Sequence, residues 1–206
     1  MFIELTDHLR CPAEHEERYL VLLPDRVERR SVVSGQLGCP VCGRTFLVRD
    51  GVAELGAPPP DSTRAQATTH DPLTASAAHV FLGLGGPGGY VALVGSAAAM
   101  WRELSELVRG VAIVAVNPPA EVADAAPVLS VVRAPIIPIK SRSLRGVVLG
   151  SEHAGDAKWQ REAARVTLPG LRIVGRGAAP ALSAGAGAPA LELLASAGDT
   201  WVAARR

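Results

Sequence analysis

Residues 90–116 of the chain read YVALVGSAAAMWRELSELVRGVAIVAV, and this stretch decides the fold. Tyr90–Gly95 is a short apolar run, and in Ala97–Arg109 the apolar side chains recur at helical spacing. Gly110 ends that helix, and Val111–Val116 is a second apolar run. A strand, a helix and a strand in this order predict two parallel strands joined by a helical crossover.

The segments that follow continue this alternation of apolar and helical runs. They predict strands at Val128–Val132, Leu144–Leu149 and Leu171–Val174, a helix at Asp156–Val166, and edge strands at Leu191–Ala195 and Thr200–Ala203. The pattern is typical of α/β proteins. We therefore predict a Rossmann-like, mostly parallel sheet with flanking helices.

The first 55 residues have a different sequence pattern. They carry short β-rich runs, Tyr19–Leu23 and Thr45–Val48, between charged and glycine-containing turns. Three consecutive prolines follow, which cannot join a strand ladder and favour an extended spacer. The sequence thus predicts a small β-rich ribbon at 1–55, a Pro-rich linker at 56–72 and an α/β domain at 73–206.

Composition argues against several classes of partner. A formal net charge of +1 with 20% charged residues gives no electrostatic basis for binding nucleic acid or anionic membranes. The N-terminal residues are acidic where a signal peptide is basic. Pro72–Trp101 lacks charged side chains, but the glycine-rich run at 83–95 interrupts any helix long enough to span a bilayer. We expect a soluble, cytoplasmic protein that binds neither membrane nor nucleic acid directly.

The cysteines predict a metal site. All three lie in the first 42 residues, a pattern typical of metal ligands and not of a disulfide framework. Cys39 and Cys42 have the spacing of a zinc knuckle, and Gly43 suits its turn. Cys11 and His15 supply the second pair. Four protein ligands close the shell, which predicts one structural Zn²⁺, because a catalytic zinc keeps one position open.

The choice of the fourth ligand stays open at this level. His8 lies three residues before Cys11, and Glu14 carries an oxygen ligand. Spacing favours His15 over both.

The sequence around these cysteines resembles a known family. Leu9–Pro12 and Gly38–Ala53 look like the small zinc-ribbon family that includes the activator subunit of transfer-RNA and protein methyltransferases. Members have a similar strand followed by Asp-Gly-Ile or Asp-Gly-Val, here Asp50–Val52. The resemblance covers about a quarter of the chain and implies a protein partner. His15 departs from it, because many members carry a cysteine one residue closer.

A second resemblance lies further along the chain. Ile136–Gly150 and Trp159–Val174 are similar to the fourth strand, the following helix and the fifth strand of class I S-adenosylmethionine-dependent methyltransferases. The residues that keep the order of that family are Glu162, Arg165, Val166, Pro169 and Gly170. The resemblance implies the methyltransferase fold.

This resemblance assigns cofactor binding to Gly95, in the turn after the first strand, and to Asn117, at the end of the second. The family has further glycines where alanines follow Gly95, and an acidic residue where Asn117 stands. An aromatic residue and an aspartate usually open the fourth strand, where this chain has Leu144 and Arg145. These three departures favour a protein with no catalytic residues.

Three functional hypotheses follow. The first is a zinc-binding, non-catalytic methyltransferase-like protein, a pseudoenzyme that acts through a partner or a ligand. The alternative is an active S-adenosylmethionine-dependent methyltransferase of unknown substrate, with Gly95 and Asn117 lining its cofactor site. An RNA-associated module is the third, but the arginines at 26–30 alternate with acidic residues.

Other candidate residues carry weaker signals. Gly83–Gly88 matches the dinucleotide-binding pattern but leads into a strand, so we predict a connecting loop. His70, Ser151 and His153 lack a nucleophile elbow. Glu152 and His153 stand where methyltransferases often place substrate-side residues, but we predict solvated side chains.

Overall fold

The computed structural model describes residues 1–58, 73–180 and 191–206. Strands in these ranges are β1 (Val21–Glu28), β2 (Ser31–Gly38), β3 (Thr45–Arg49), β4 (Val52–Glu54), β5 (Tyr90–Val94), β6 (Ala112–Val116), β7 (Leu129–Arg133), β8 (Leu144–Leu149), β9 (Thr167–Arg176), β10 (Leu191–Ala197) and β11 (Thr200–Arg205). Helices are α1 (Ala75–Leu82), α2 (Trp101–Leu107), α3 (Ser151–Ala154) and α4 (Ala157–Val166), with 3-10 helices at Ile3–His8 and Gly95–Met100. None of these described helices is long and apolar enough to cross a membrane.

All the described strands belong to one sheet in the order β1-β2-β3-β4-β7-β6-β5-β8-β9-β11-β10. The central strands β7, β6, β5, β8 and β9 are parallel. Counted from β5 along the chain, their order is 3-2-1-4-5, as in doubly wound folds. The predicted α/β architecture with a Rossmann-like, mostly parallel sheet is confirmed.

The central strands are buried on both faces, which explains their continuous apolar sequences. Ala92 and Val94 of β5 face a core that includes α4, whereas Val91 and Leu93 face the core under α1 and α2. Alternate residues of one strand therefore serve two separate cores.

Several elements differ from the prediction. The helix predicted at Ala97–Arg109 starts as a 3-10 helix at Gly95 and ends as α2 at Leu107. Strand β11 is not an edge strand, because it lies antiparallel between β9 and β10. Strands β2 and β4 and helix α1 were not predicted, because their short sequences lack a clear period.

The N-terminal strands extend the central sheet. β1 to β4 form an antiparallel meander. β4 then pairs in parallel with β7, with Val52 opposite Val131 and Ala53 opposite Val132. The ribbon and the α/β part thus share one sheet. The predicted division into domains stays a prediction, since residues 59–72 of the linker lie outside the described ranges.

The N-terminal segment before β1 covers one face of this sheet. Leu5 and Leu9 are fully buried in the same core as Ile137 and Ile139. Backbone hydrogen bonds join the two stretches, with Arg10 N donating to Pro138 O at 2.9 Å. The connections from β6 to β7 and from β7 to β8 contain no helix. The N-terminal segment therefore fills space that a crossover helix fills in other α/β folds.

Ion pairs among four charged side chains join this segment to α4. Arg165 contacts Glu162 at 2.8 Å and Glu17 at 3.3 Å, and Arg10 lies 3.7 Å from Glu162. Arg165 also donates to the carbonyl of Ile137 at 2.8 Å. The side chains of this cluster are only 15–28% exposed, so solvent screens them incompletely.

Candidate metal centre and strand-end crevice

The structure brings the four predicted metal ligands, Cys11, His15, Cys39 and Cys42, into one group that could hold a metal ion. Their ligand atoms all lie within 4.8 Å of one another. The distance from Cys11 Sγ to Cys42 Sγ is 3.8 Å, and from Cys39 Sγ to His15 Nε2 it is 3.3 Å. A tetrahedral zinc site has S–S edges of about 3.8 Å and S–N edges of about 3.5 Å. The group therefore fits a zinc ion, and its thiols are free.

Two elements position these ligands. Cys39 directly follows β2, and a tight turn returns the chain through Cys42 to β3, with Gly43 at φ +69°. Cys39 N donates to Arg44 O at 2.8 Å, and Gly43 N donates to Cys39 O at 3.0 Å. Cys11 comes from the N-terminal segment that covers the sheet.

His15 has the orientation of a metal ligand. Its Nδ1 lies 2.7 Å from the carbonyl of Glu16, which can only accept, so Nδ1 carries the proton and Nε2 keeps its lone pair towards Cys39. His8 packs its ring edge against Tyr90 instead, with centroids 5.0 Å apart. Neither His8 nor Glu14 belongs to the metal group that the described residues form.

The thiols of the group have different acidities. Burial works to raise the pKa of Cys39, but hydrogen bonds from the backbone N–H groups of Cys42 and Val41 outweigh it and lower that pKa to about 7. Burial raises the pKa of the Cys11 thiol to about 11. The knuckle is thus built to stabilise a thiolate, the form in which cysteine binds metal.

A second candidate site lies where β5 and β8 end. The chain leaves these neighbouring strands in opposite directions, which makes this the topological switch point where α/β folds bind ligands. Gly95 and Gly150 follow the two strands, and Gly150 N donates to Val94 O at 2.9 Å. We call the space over these two glycines the strand-end crevice.

The carboxylate of Glu152 fills the strand-end crevice. It accepts hydrogen bonds from Ser96 N and from Ser96 Oγ, both at 2.6 Å. A Cβ on Gly95 would overlap Glu152 Oε1, and a Cβ on Gly150 would lie 2.7 Å from Oε2. Both glycines are therefore needed to admit this side chain. Sequence reasoning missed the contact, because it joins residues 56 positions apart.

Asn117 ties two strand ends together. It is buried after β6 with φ +51°, and its amide donates to Ala134 O at 2.7 Å and accepts from Ala134 N at 2.9 Å. The cofactor role predicted for Gly95 and Asn117 stays a prediction. The structure gives each residue a second role, toward Glu152 and Ala134 respectively.

His153 is buried beside the strand-end crevice. The residue is 2% exposed, and its ring packs against that of Trp159 with centroids 4.3 Å apart. Burial lowers its pKa, although Glu152 and Asp156 oppose this. The prediction of a solvated side chain is wrong for His153, because α3 turns it into the core. His70 lies outside the described residues.

The glycine-rich loop before β5 lies at the opposite end of that strand. Arg145 donates to the carbonyls of Gly85, Gly86, Pro87 and Gly88 at 2.5–3.2 Å. The loop leads into β5, as predicted, and wraps around a guanidinium group.

Comparisons with known proteins add a partial likeness of fold. No family model matches the sequence, and no curated protein matches it. A solved complex between the Haloferax volcanii Trm112 methyltransferase activator and a methyltransferase matches at 18% identity and TM-score 0.42, over 50% of each chain. Geranyl diphosphate C-methyltransferase from Streptomyces coelicolor A3(2) matches at 14% identity and TM-score 0.42, over 49% of this chain and 41% of that one.

The antibiotic-resistance methyltransferase Kmr matches at 13% identity and TM-score 0.42, over 65% of this chain and 94% of that chain. The matched part of this chain therefore spans 50% of the matched chain in the Haloferax volcanii complex and 41% of geranyl diphosphate C-methyltransferase. Likenesses at this level concern the fold and carry no argument about activity.

Proposed function

We propose that this chain is a zinc-binding, non-catalytic methyltransferase-like protein that acts by binding a partner or a ligand. One observation carries the proposal. The carboxylate of Glu152 occupies the strand-end crevice over Gly95, where an α/β fold of this kind holds its ligand. A cofactor that entered there would have to displace the chain's own side chain.

The distances among the four metal ligands support zinc as the bound ion. Thiolate and imidazole ligands at tetrahedral spacing suit Zn²⁺, and four protein ligands leave no position for a substrate. The role is then structural. Zinc binding would stabilise the ribbon, because its ligands join the N-terminal segment to the turn between β2 and β3.

The end of the neighbouring strand β6 supports the absence of catalysis. An acidic residue after β6 would accept both ribose hydroxyls of the cofactor, a charge-assisted contact of about 1.5–3 kcal/mol. Asn117 has no charge, and its amide is already bonded to Ala134.

An exposed apolar strip on the ribbon supports a protein partner. Tyr19, Val21, Leu23 and Leu47 are 36–60% exposed, and Leu23 shares a row with Leu47 across Gln36 of β2. Their neighbours Leu20 and Leu37 point to the core instead. Exposed apolar side chains grouped on one face of a sheet are typical of protein-binding surfaces.

Isothermal titration calorimetry with S-adenosylmethionine and its demethylated product tests the proposal. We expect no binding tighter than about millimolar, or roughly −4 kcal/mol, because Glu152 competes for the same crevice. Elemental analysis of the same sample, showing one zinc per chain, controls for a folded ribbon. Micromolar binding of either compound would contradict the proposal.

One observation favours the alternative, an active S-adenosylmethionine-dependent methyltransferase of unknown substrate. Gly95 keeps the sharp turn after the first parallel strand, with φ +64°. A backbone turn of this kind lets a cofactor approach closely. The alternative requires Glu152 to leave the crevice, and the same calorimetry decides between the two.

A further inference from the structure

We infer that the metal centre is also an oxidation site, at which a hydroperoxide joins Cys42 and Cys11 in a disulfide and releases the bound Zn²⁺. The inference deepens the proposed function and rests on it in one respect, the binding of zinc by the four-ligand group. It adds a form of regulation to that group, because the disulfide and the metal use the same two sulfur atoms and exclude each other.

The three cysteines of the group differ in exposure. Cys42 is exposed, whereas Cys11 and Cys39 are only 2% and 3% exposed. A metal-bound cysteine is a thiolate, and oxidation of thiolates follows their access to solvent. An oxidant dissolved in water therefore reaches the sulfur of Cys42 first.

Cys11 is placed to react with the oxidised Cys42. Its Sγ lies 3.8 Å from Cys42 Sγ, and a disulfide requires about 2.0 Å, so the two atoms have to approach each other by about 1.8 Å. The turn that carries Cys42 has space for this movement, because a Cβ on Gly43 would meet nothing within 4 Å.

Cys39 is held in a different way from the other two cysteines. Its Sγ contacts His15 Nε2 at 3.3 Å. It also accepts hydrogen bonds from the backbone N–H groups of Cys42 and Val41. These bonds spread the negative charge of the sulfur, which makes Cys39 the weaker nucleophile. Cys39 therefore stays reduced while Cys11 reacts.

The reaction balances with hydrogen peroxide as the oxidant. The Cys42 thiolate attacks one peroxide oxygen, so that an S–O bond forms, the O–O bond breaks and hydroxide leaves. The Cys11 thiolate then attacks the Cys42 sulfur, so that the S–S bond forms, the S–O bond breaks and a second hydroxide leaves. The two sulfur atoms give up two electrons, and the two hydroxides take protons from solvent to become water. The chain keeps only Cys39 and His15 as metal ligands, so Zn²⁺ dissociates.

The disulfide joins the same two parts of the chain that the metal joins. Cys11 belongs to the N-terminal segment, and Cys42 to the turn between β2 and β3. A disulfide between Cys39 and Cys42 would instead lie within one turn and leave the N-terminal segment unattached. We therefore expect the oxidised chain to stay folded after it has lost its metal.

Treatment of the zinc-loaded wild type with hydrogen peroxide tests the inference. A chromogenic chelator measures the Zn²⁺ released into solution, and thiol titration under denaturing conditions counts the reduced cysteines. We expect the loss of about one zinc ion and about two thiols per chain. Dithiothreitol with added Zn²⁺ should reverse both changes. A zinc-loaded chain that keeps its metal and its thiols in peroxide would overturn the inference alone.

Peptide mapping identifies the bond that forms. Trypsin cleaves after arginine, so it places Cys11 on peptide 11–18 and the other two cysteines on peptide 31–44. We expect these two peptides to be linked, with Cys39 recovered as the alkylated, reduced cysteine. A disulfide between Cys39 and Cys42 leaves the peptides separate and would overturn the inference.

Urea denaturation measures whether the disulfide replaces the metal as a link. The oxidised, metal-free protein should unfold at a midpoint about 1 M higher than the reduced, metal-free protein, because the disulfide closes the loop between residues 11 and 42. A midpoint no higher than that of the reduced, metal-free protein would overturn the inference.

Cys39→Ser and Cys42→Ser are a matched pair, because each removes one metal ligand. Among folded metal-free variants, judged by circular dichroism, Cys39→Ser should form its disulfide at least about tenfold faster, because it keeps the exposed thiol. Equal rates would overturn the inference. A wild type that purifies without zinc and takes up none when Zn²⁺ is added would instead contradict the zinc binding of the proposed function, and the inference would fall with it.

Discussion

At the scale of single residues, Glu152 restricts which amino acids fit at the positions around its carboxylate. Its carboxylate contacts Ser96 and leaves no room for side chains at Gly95 and Gly150. Gly95 therefore has an explanation that requires no cofactor. Such close approaches are properties of the folded chain, so only the turn itself was foreseeable from the sequence.

Gly95→Ala should destabilise the protein by about 3 kcal/mol, because its Cβ would overlap Glu152 and its φ is positive. Gly170→Ala is the matched control, since it also has positive φ but its Cβ would meet nothing. We expect it to cost only about 1 kcal/mol. Urea denaturation measures both. Equal losses would show that Glu152 does not occupy the space over Gly95.

His15→Ala should lose most of the bound metal, because it removes one of four ligands. His8→Ala should retain about one metal ion per chain, because His8 packs against Tyr90. Elemental analysis of both variants, purified without added metal, checks the difference. Comparable metal loss in the two variants would contradict the ligand set.

At the scale of elements, strands with a uniform environment were predictable. β5, β6 and β8 are buried on both faces and read as apolar runs, and the predicted Leu144–Leu149 matches β8 at both ends. β2 contains Ser34, Gly35 and Gln36, which hide its alternation. The insertion of β11 beside β9 depends on pairing between distant segments, which no local pattern encodes.

Arg165→Ala should destabilise the protein by about 2 kcal/mol, because it removes the shortest ion pairs of Glu17 and Glu162 and leaves them only the longer ion pairs to Arg10. It also removes the donors to the carbonyls of Ile137 and Ile139. Arg161→Ala, at an exposed position of the same helix, is the control and should change stability by less than about 0.5 kcal/mol. Urea unfolding followed by circular dichroism measures the difference. Similar values would mean that the cluster does not hold α4 to the N-terminal segment.

At the scale of the whole molecule, the metal-binding ribbon and the α/β part share one sheet and one hydrophobic core. β4 pairs with β7, and the segment carrying Cys11 lies on the face of the central sheet. The sequence indicated two units, one with short β-rich runs and one with alternating strands and helices. Their common sheet could not be predicted, because it depends on pairing between distant segments. Metal binding in the ribbon should therefore influence the stability of the distant strands.

Removing the metal with a chelator should lower the urea midpoint reported by tryptophan fluorescence. The three tryptophans, Trp101, Trp159 and Trp201, all lie in the α/β part, so they report on that part and not on the ribbon. The metal-reconstituted protein is the control. An unchanged midpoint would mean that the two parts unfold independently.

The central claim is that Glu152, and not a cofactor, occupies the strand-end crevice. A crystal structure of the full chain grown with millimolar S-adenosylmethionine tests it most directly. The account predicts the Glu152 carboxylate on Ser96 N and Oγ, as seen here at 2.6 Å, with no cofactor over Gly95. Electron density for S-adenosylmethionine over Gly95, with Glu152 turned away, would contradict it.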